Sequence, residues 1–264
     1  MHGGAYNFEL PALGAFLRYL ILSDIHANLE ALERCLDLAG GNYDEVICLG
    51  DLVGYGPDPN SVIDRVRSLT QIIIRGNHDR ACTGLLDPGE FNLLARVATD
   101  WTRRQLTPEN YEFLRKLPRG PAALAGFQIV HGSPLDEDEY ILSPAEALPN
   151  FRAMGGPLVL FGHTHHQGGF SLSAKSRSQC IRCSRLPNDR AKIVRLLEGH
   201  VYLINPGSVG QPRDGDWRAA FAILDLNRKH VEYFRIPYAI AKTQAKMRAA
   251  SLPEPLIRRL EIGR

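Results

Sequence analysis

Five short apolar runs punctuate the chain: RYLIL (18–22), EVICL (45–49), QIIIR (71–75), FQIV (127–130) and PLVLF (157–161). Their content of Ile, Val and Leu predicts strands buried on both faces. Helical patterns lie between them. NLEALERCLDLAGG (28–41) carries apolar residues at helical spacing and ends in two glycines, a stop signal. PNSVIDRVRSL (59–69) opens with Pro-Asn-Ser cap chemistry, and EFNLLARVATDWTRRQL (90–106) is periodic. In TPENYEFLRKL (107–117), Thr107 reads as a cap with Pro108 at the first helical position. Strand and helix in alternation argue for an α/β fold with a largely parallel sheet. Later, HVYLINPG (200–207), AAFAILDL (219–226) and HVEYFRI (230–236) resemble an antiparallel meander, so a second sheet or an extension is expected. Residues 171–192 are polar and basic and predict a hairpin or loop. The tail, 239–264, reads as helical and basic. Residues 1–16 are expected to be an extension ahead of a single domain, 17–264.

Composition narrows the picture. The chain has 264 residues, 44% hydrophobic and 23% charged, with a formal net charge of +2. That balance creates no global field for a membrane or nucleic acid, so affinity for an anion must be local. No apolar run reaches the length of a membrane helix, and the N-terminus lacks the basic segment of a signal peptide. Five irregularly spaced cysteines fit reduced thiols better than a disulfide framework, and a cytoplasmic location is expected. Cys180 and Cys183 form a lone C-x-x-C, read as incidental to a loop.

The chemistry sits where the strands end. RYLIL runs into Ser23-Asp24-Ile25-His26, and EVICL into Gly50-Asp51. QIIIR runs into Gly76-Asn77-His78-Asp79, FQIV into His131-Gly132, and PLVLF into Gly162-His163-Thr164-His165. Strand ends of open α/β sheets converge on one edge, where ligands bind. The set offers carboxylates, a carboxamide and imidazoles without a thiolate, which suits Mn, Fe, Co, Ni or Zn. In an extended segment Asp24 and His26 project to one side, and His163 and His165 can likewise flank one centre. Some seven donors exceed the need of one tetrahedral ion, so two ions are expected. A bridging carboxylate would hold them roughly 3.5–4 Å apart. Gly50, Gly76 and Gly162 are placed where a sharp turn needs unusual backbone angles.

These blocks resemble the motif series of the calcineurin-like metallophosphoesterase superfamily: D-x-H, G-D-x-x-G, G-N-H-[DE], a histidine before glycine, and G-H-x-H. All five stand in order without substitution, and NPGSVGQPRDGD (205–216) is similar to the small prokaryotic phosphodiesterase branch. The resemblance implies a four-layer α/β/β/α sandwich of two mixed sheets flanked by helices. It implies that Asp24, His26 and His165 bind a first metal, that Asn77, His131 and His163 bind a second, and that Asp51 bridges them. His166 has no role in the series and is read as a surface or supporting residue.

The implied activity is hydrolysis of phosphodiester bonds by a hydroxide bridging two divalent ions, with manganese the first expectation. Two divalent ions against Asp24, Asp51 and hydroxide leave about one positive charge for the substrate, and neutral Asn77 preserves it. His78 is the candidate for stabilising the leaving oxygen, with Asp79 holding its imidazole tautomer. Arg213 is a candidate phosphate contact. The alternatives are a phosphomonoesterase, protein phosphatase or dinucleoside-polyphosphate hydrolase on the same centre. A catalytically weak, metal-bound scaffold is the alternative of another class. The expected partner is a small phosphate-ester substrate; no membrane is expected, and nucleic acid and a homo-oligomer stay open.

Overall fold

The computed structural model describes residues 6–7, 17–124, 126–173, 175, 178–183 and 191–264. Apart from residues 6–7, the expected 1–16 extension lies outside them, as do parts of the 171–192 segment. The strands, in chain order, are β1 (Tyr6–Asn7), β2 (Arg18–Leu22), β3 (Glu45–Cys48), β4 (Ala122–Leu124), β5 (Phe127–Ile129) and β6 (Leu158–Leu160). They continue as β7 (Gly168–Leu172), β8 (Ser178–Arg182), β9 (Lys192–Arg195), β10 (Val201–Asn205), β11 (Ala219–Asp225) and β12 (His230–Ile236). The helices are α1 (Leu29–Ala39), α2 (Pro59–Leu69), α3 (Asn77–Cys82), α4 (Leu93–Gln105), α5 (Pro108–Lys116), α6 (Pro144–Ala153), α7 (Ile240–Ala249) and α8 (Glu254–Ile262).

The strands form two mixed sheets, ordered β1-β4-β5-β6-β10-β7-β8 and β3-β2-β11-β12-β9. Side chains alternate across each strand. Tyr19, Ile21 and Ile47 of one sheet therefore meet Phe127, Ile129 and Leu160 of the other in a shared core. Their neighbours Leu20, Leu22 and Val46 point the opposite way, onto Leu32, Cys35 and Val62 of α1 and α2. On the far side, Val159 and Leu203 pack under Ala147 and Phe151 of α6. The result is the expected α/β/β/α sandwich. A fourth cluster joins α4, α7 and α8 to Tyr55 through Ala98, Met247, Leu256 and Leu260.

Local signals account for the helix ends. Asn28 caps α1 by accepting from the Ala31 N–H at 3.2 Å, and Gly40 ends it at φ 55°. Thr107 caps α5 through the Asn110 N–H at 3.2 Å. Ser143 and Glu146 form a capping box on α6, which the apolar pattern missed.

Three expectations need correction. QIIIR is not a strand; its only pairing is an isolated bridge between Ile73 and Cys48. The inferred core strands do not share one parallel sheet: β2 and β3 lie in one sheet, β5 and β6 in the other. β10 leaves the meander altogether to pair in parallel with β6. The five blocks therefore converge from two facing sheets, which is why they enclose a basin instead of lining an edge. The polar 171–192 stretch contributes β8, which pairs antiparallel with β7 as a hairpin.

Candidate metal centre

The strand ends curl before they deliver their side chains. Asp24, His26, Asp51, His163 and His165 have φ of 51°, 48°, 53°, 63° and 58°. Asp24 and His26 therefore do not share a face by strand alternation; each sits in a left-handed turn that non-glycine residues rarely adopt. Backbone bonds hold the turns. Asp24 and His26 donate N–H groups to the carbonyls of Gly50 and Asp51, both at 3.0 Å, and Gly162 donates to His131 at 2.8 Å. Gly50 takes φ 97°, and a Cβ there would lie 2.6 Å from the Gly76 nitrogen, so only glycine fits.

The seven residues arrive in two groups. Asp24, His26, Asp51 and His165 form one, and Asp51, His131 and His163 the other; within each, the ligand atoms lie within 4.8 Å of one another. Asp51 belongs to both. Its Oδ2 stands 3.6 Å from His26 Nε2 and 3.5 Å from His131 Nε2. Asn77 joins the second group, with Oδ1 3.2 Å from His131 Nε2.

The donor set fits a cation. Nδ1 of His26, His131 and His165 lies 3.0, 2.7 and 2.5 Å from the carbonyl oxygens of Val53, Leu49 and Gln211. A carbonyl can only accept, so each Nδ1 carries a proton and each Nε2 is the nitrogen left to face a cation; on His26 and His165 it presents a bare lone pair. Those lone pairs converge. Nε2 of His26 and His165 face each other at 3.1 Å. Asp24 Oδ1, buried and without a hydrogen-bond donor, lies 3.2 Å from His165 Nε2. Lone pairs brought together in a dry pocket repel unless a positive charge stands among them. Outer hydrogen bonds of this kind also orient metal-binding imidazoles.

Electrostatics say the same. Burial works against the charge on Asp24 and Asp51, but the surrounding histidines outweigh it and hold both below the ordinary carboxylate range. Burial also opposes protonation of His131, yet Asp51 beside it raises that pKa to about 10. A proton is favoured where two acceptors face one nitrogen, which is where a metal ion could replace it. Burial holds His26 and His165 down, and takes His163 to about 3.

His78 borders a cavity of about 360 Å³, together with Tyr55, Asn77, Phe91, Tyr140 and Arg213. Its backbone N–H donates to Asp51 Oδ1 at 2.8 Å. Its Nδ1 is buried without a partner, and a Cβ on Gly54 would come within 2.7 Å of that atom. Burial lowers its pKa to about 4, so the ring is neutral at pH 7. The expected role of Asp79 needs correction. Its carboxylate does not reach His78; it accepts the backbone N–H groups of Asp51, Val53 and Gly76 at 2.9, 3.2 and 3.0 Å. Asp79 fixes two motif loops against each other. Burial, followed by the nearby charge of Asp51, raises its pKa to about 7.

Several contributors escaped the sequence reading. Asn205 donates to the Gly162 carbonyl at 2.8 Å and to Thr164 Oγ1 at 3.0 Å. Ser208 Oγ donates to the Asp24 carbonyl at 2.7 Å. The NPGS turn is thus a brace for the Asp24 and His163 loops, a role its composition did not disclose. Asp138 offers its carbonyl to His163 Nε2 at 3.1 Å, and the Tyr140 ring lies 4.0 Å from that imidazole. His166 is exposed, with Nδ1 2.8 Å from the Thr164 carbonyl.

Fold and donors together define a phosphoesterase class. The calcineurin-like phosphoesterase superfamily domain profile matches residues 17–229, and the chain belongs to that superfamily. The chain is similar to a metallophosphoesterase from Sphaerobacter thermophilus, 41% identical, with 95% of this chain and 100% of that one covered and a TM-score of 0.81. An uncharacterized protein of Methanocaldococcus jannaschii is 33% identical over 92% of this chain and 97% of its own length. A hypothetical protein of Pyrococcus horikoshii shares the fold at 21% identity, with 94% of this chain and 99% of that one covered and a TM-score of 0.75. Among the described residues, no helix is long and apolar enough to cross a membrane.

Proposed function

We propose that this metallophosphoesterase hydrolyses phosphodiester bonds with a pair of divalent ions. The observation that carries the reading is the convergence of bare imidazole and carboxylate lone pairs on two groups that share Asp51. Asp24, His26 and His165 would hold one ion, Asn77, His131 and His163 the other, and Asp51 both. Bound there, the ions would acidify a water and polarise the phosphoryl oxygens. The mixed nitrogen and oxygen set accepts Mn, Fe, Zn, Ni or Co, with manganese the first choice in vitro.

The chain's own residues set up the rest. The Nδ1–H groups of His26, His131 and His165 are committed to carbonyls, so these rings cannot turn away. Asn77 supplies an oxygen without adding negative charge, which preserves attraction for a phosphate anion. His78, neutral at pH 7, presents its ring to the cavity and can donate an N–H to an ester oxygen as charge develops there. Arg213 lines the same cavity and can meet a phosphate oxygen. The cavity of about 360 Å³, walled in part by Tyr55, Phe91 and Tyr140, has space for an organic substituent beside a phosphate.

The test compares turnover of bis(p-nitrophenyl) phosphate and p-nitrophenyl phosphate by the manganese-loaded protein. Faster diester cleavage is expected, and a clear monoester preference would reverse the assignment. His78→Ala is expected to keep its metal content and lose about 10²–10⁴-fold in turnover. Unchanged turnover would remove His78 from the mechanism.

A further inference from the structure

Two guanidinium groups share the cavity wall beside His78. Arg213 comes from the loop after the NPGS turn, and Arg259 from α8. Their guanidinium carbons lie over the Tyr55 ring at 5.7 and 5.9 Å from its centroid. Tyr55 in turn meets His26 at 4.8 Å and His78 at 4.5 Å. The two arginines are therefore one aromatic ring away from the donor groups.

Arg213 donates from Nη2 to Gln211 Oε1 at 3.0 Å, and its buried Nε has no partner. Arg259 donates from Nε to the main-chain oxygen of Arg264, the last of the 264 residues, where that oxygen carries carboxylate charge. Among the described residues, neither has an Asp or Glu carboxylate within ion-pair distance, although arginines elsewhere on the surface commonly do. Two like charges gathered over one buried ring repel each other. Burial first, then the charge of Arg213, depress the pKa of Arg259. The packing nevertheless holds Arg259 there: Leu256, Ile257 and Leu260 of α8 are buried against Tyr55, Ala95 and Ala98. A fold that fixes two guanidinium groups in one concave site suits an anion, and of the two carboxylates on the cavity wall, Asp87 and Asp138, the second is already paired with Arg80.

The charge count separates this anion from the reacting one. On the reading proposed above, on which this inference rests, two metal ions already counter the phosphoryl group under attack. The guanidinium pair adds positive charge beyond theirs, reduced by the chain-terminal oxygen on Arg259 and by Asp87 on the cavity wall. The cavity of about 360 Å³ is within the size range of small organic ligands and exceeds what one phosphate fills. We infer that Arg259 and Arg213 form a second anion subsite over Tyr55, so that the protein selects phosphate esters carrying an additional phosphate group.

The probe pair is ADP and AMP, which differ by one phosphate. Their dissociation constants are measured by calorimetry on the full-length, manganese-loaded protein, in excess manganese. The wild type is expected to bind ADP at least about 10-fold more tightly than AMP. Arg259→Gln should abolish most of that preference while moving the AMP constant by less than about 3-fold, and Arg259→Lys should restore part of it. Melting temperature checks that each variant is folded. An equal loss for both nucleotides, an unchanged preference in Arg259→Gln, or no preference in the wild type would overturn the subsite. Binding is read without turnover. A protein that prefers ADP but cleaves no ester would sink the hydrolase reading and spare the subsite; one that cleaves esters without preference does the reverse.

Discussion

The two halves of the basin are held by different means. In the half formed by Asp24, His26 and His165, each residue is at most 1% exposed, and the imidazoles lean on carbonyls of short, hydrogen-bonded loops at strand ends. In the half formed by Asn77, His131 and His163, Asn77 reaches 8% exposure. His163 there leans on the Asp138 carbonyl, within a loop tied to α3 by Arg80, whose Nη2 meets Asp138 at 2.6 Å. Asp138 is 43% exposed at its side chain, so part of that tie is open to solvent. One half is thus braced from within the sandwich, and the other partly through a rim of ion pairs. On the proposed reading, the first ion should be retained and the second should exchange.

The largest disruption should come from the residue the halves share. Asp51→Asn is expected to abolish normal occupancy of both sites and to lower turnover by at least about 10³-fold, beyond the 10–100-fold typical of an outer-shell change. Two fully bound ions in that variant, by metal analysis, would contradict the bridge. A sharper contrast comes from replacing one imidazole in each half. After gel filtration, His163→Ala is expected to keep about one ion per chain, whereas His165→Ala should keep less than one. Equal losses would erase the distinction between the halves.

The smallest effect is the response of the metal-free protein to acid. His78 and His163 titrate near 6.5 when unfolded and at about 4 and about 3 when folded. Between those values unfolding takes up protons, so the stability tied to their neutral forms is lost as pH falls below 6.5. His26 and His165, also lowered, act in the same direction. Asp79 opposes them: its pKa is raised from 3.8 to about 7, so it favours the fold increasingly as pH drops through that window. The four lowered histidines outnumber it, and His131, raised to about 10, adds only a small opposing change below its unfolded value of 6.5. Urea titration of chelated protein at pH 6.5 and pH 5 should show a loss of at least about 1 kcal/mol per pH unit. A flat or inverted response would mean that these rings are not buried as neutral groups.

Much of this site was legible in the chain because donor chemistry is local. Each block carries its ligand-type residues within a few positions of an apolar run, and the structure gathers all seven. What stayed hidden depends on the third dimension. Side-chain periodicity presumes an extended backbone, and the backbone at Asp24 and His26 is left-handed. The apolar run QIIIR has strand composition, yet its neighbours leave it one bridge. Asp79 stands next to His78 in sequence, but the α3 helix turns its carboxylate back onto three amide groups. Arg259 lies in a tail that reads only as helical and basic; its place beside Tyr55 follows from how α8 packs, which no linear pattern encodes. The sandwich itself was legible through the family resemblance, while the alternation of runs alone suggested only a parallel sheet.

Left-handed backbone at five donor positions has a consequence for how such a chain can change. Each of these residues holds a conformation that disfavours a side chain by about 1 kcal/mol or more, so glycine at any of them would relax the turn while removing a donor. Drift toward a sturdier but inert protein therefore has its shortest routes through these very positions. On the proposed reading, the metal-binding role of Asp and His is what offsets the strain at the crests of those turns.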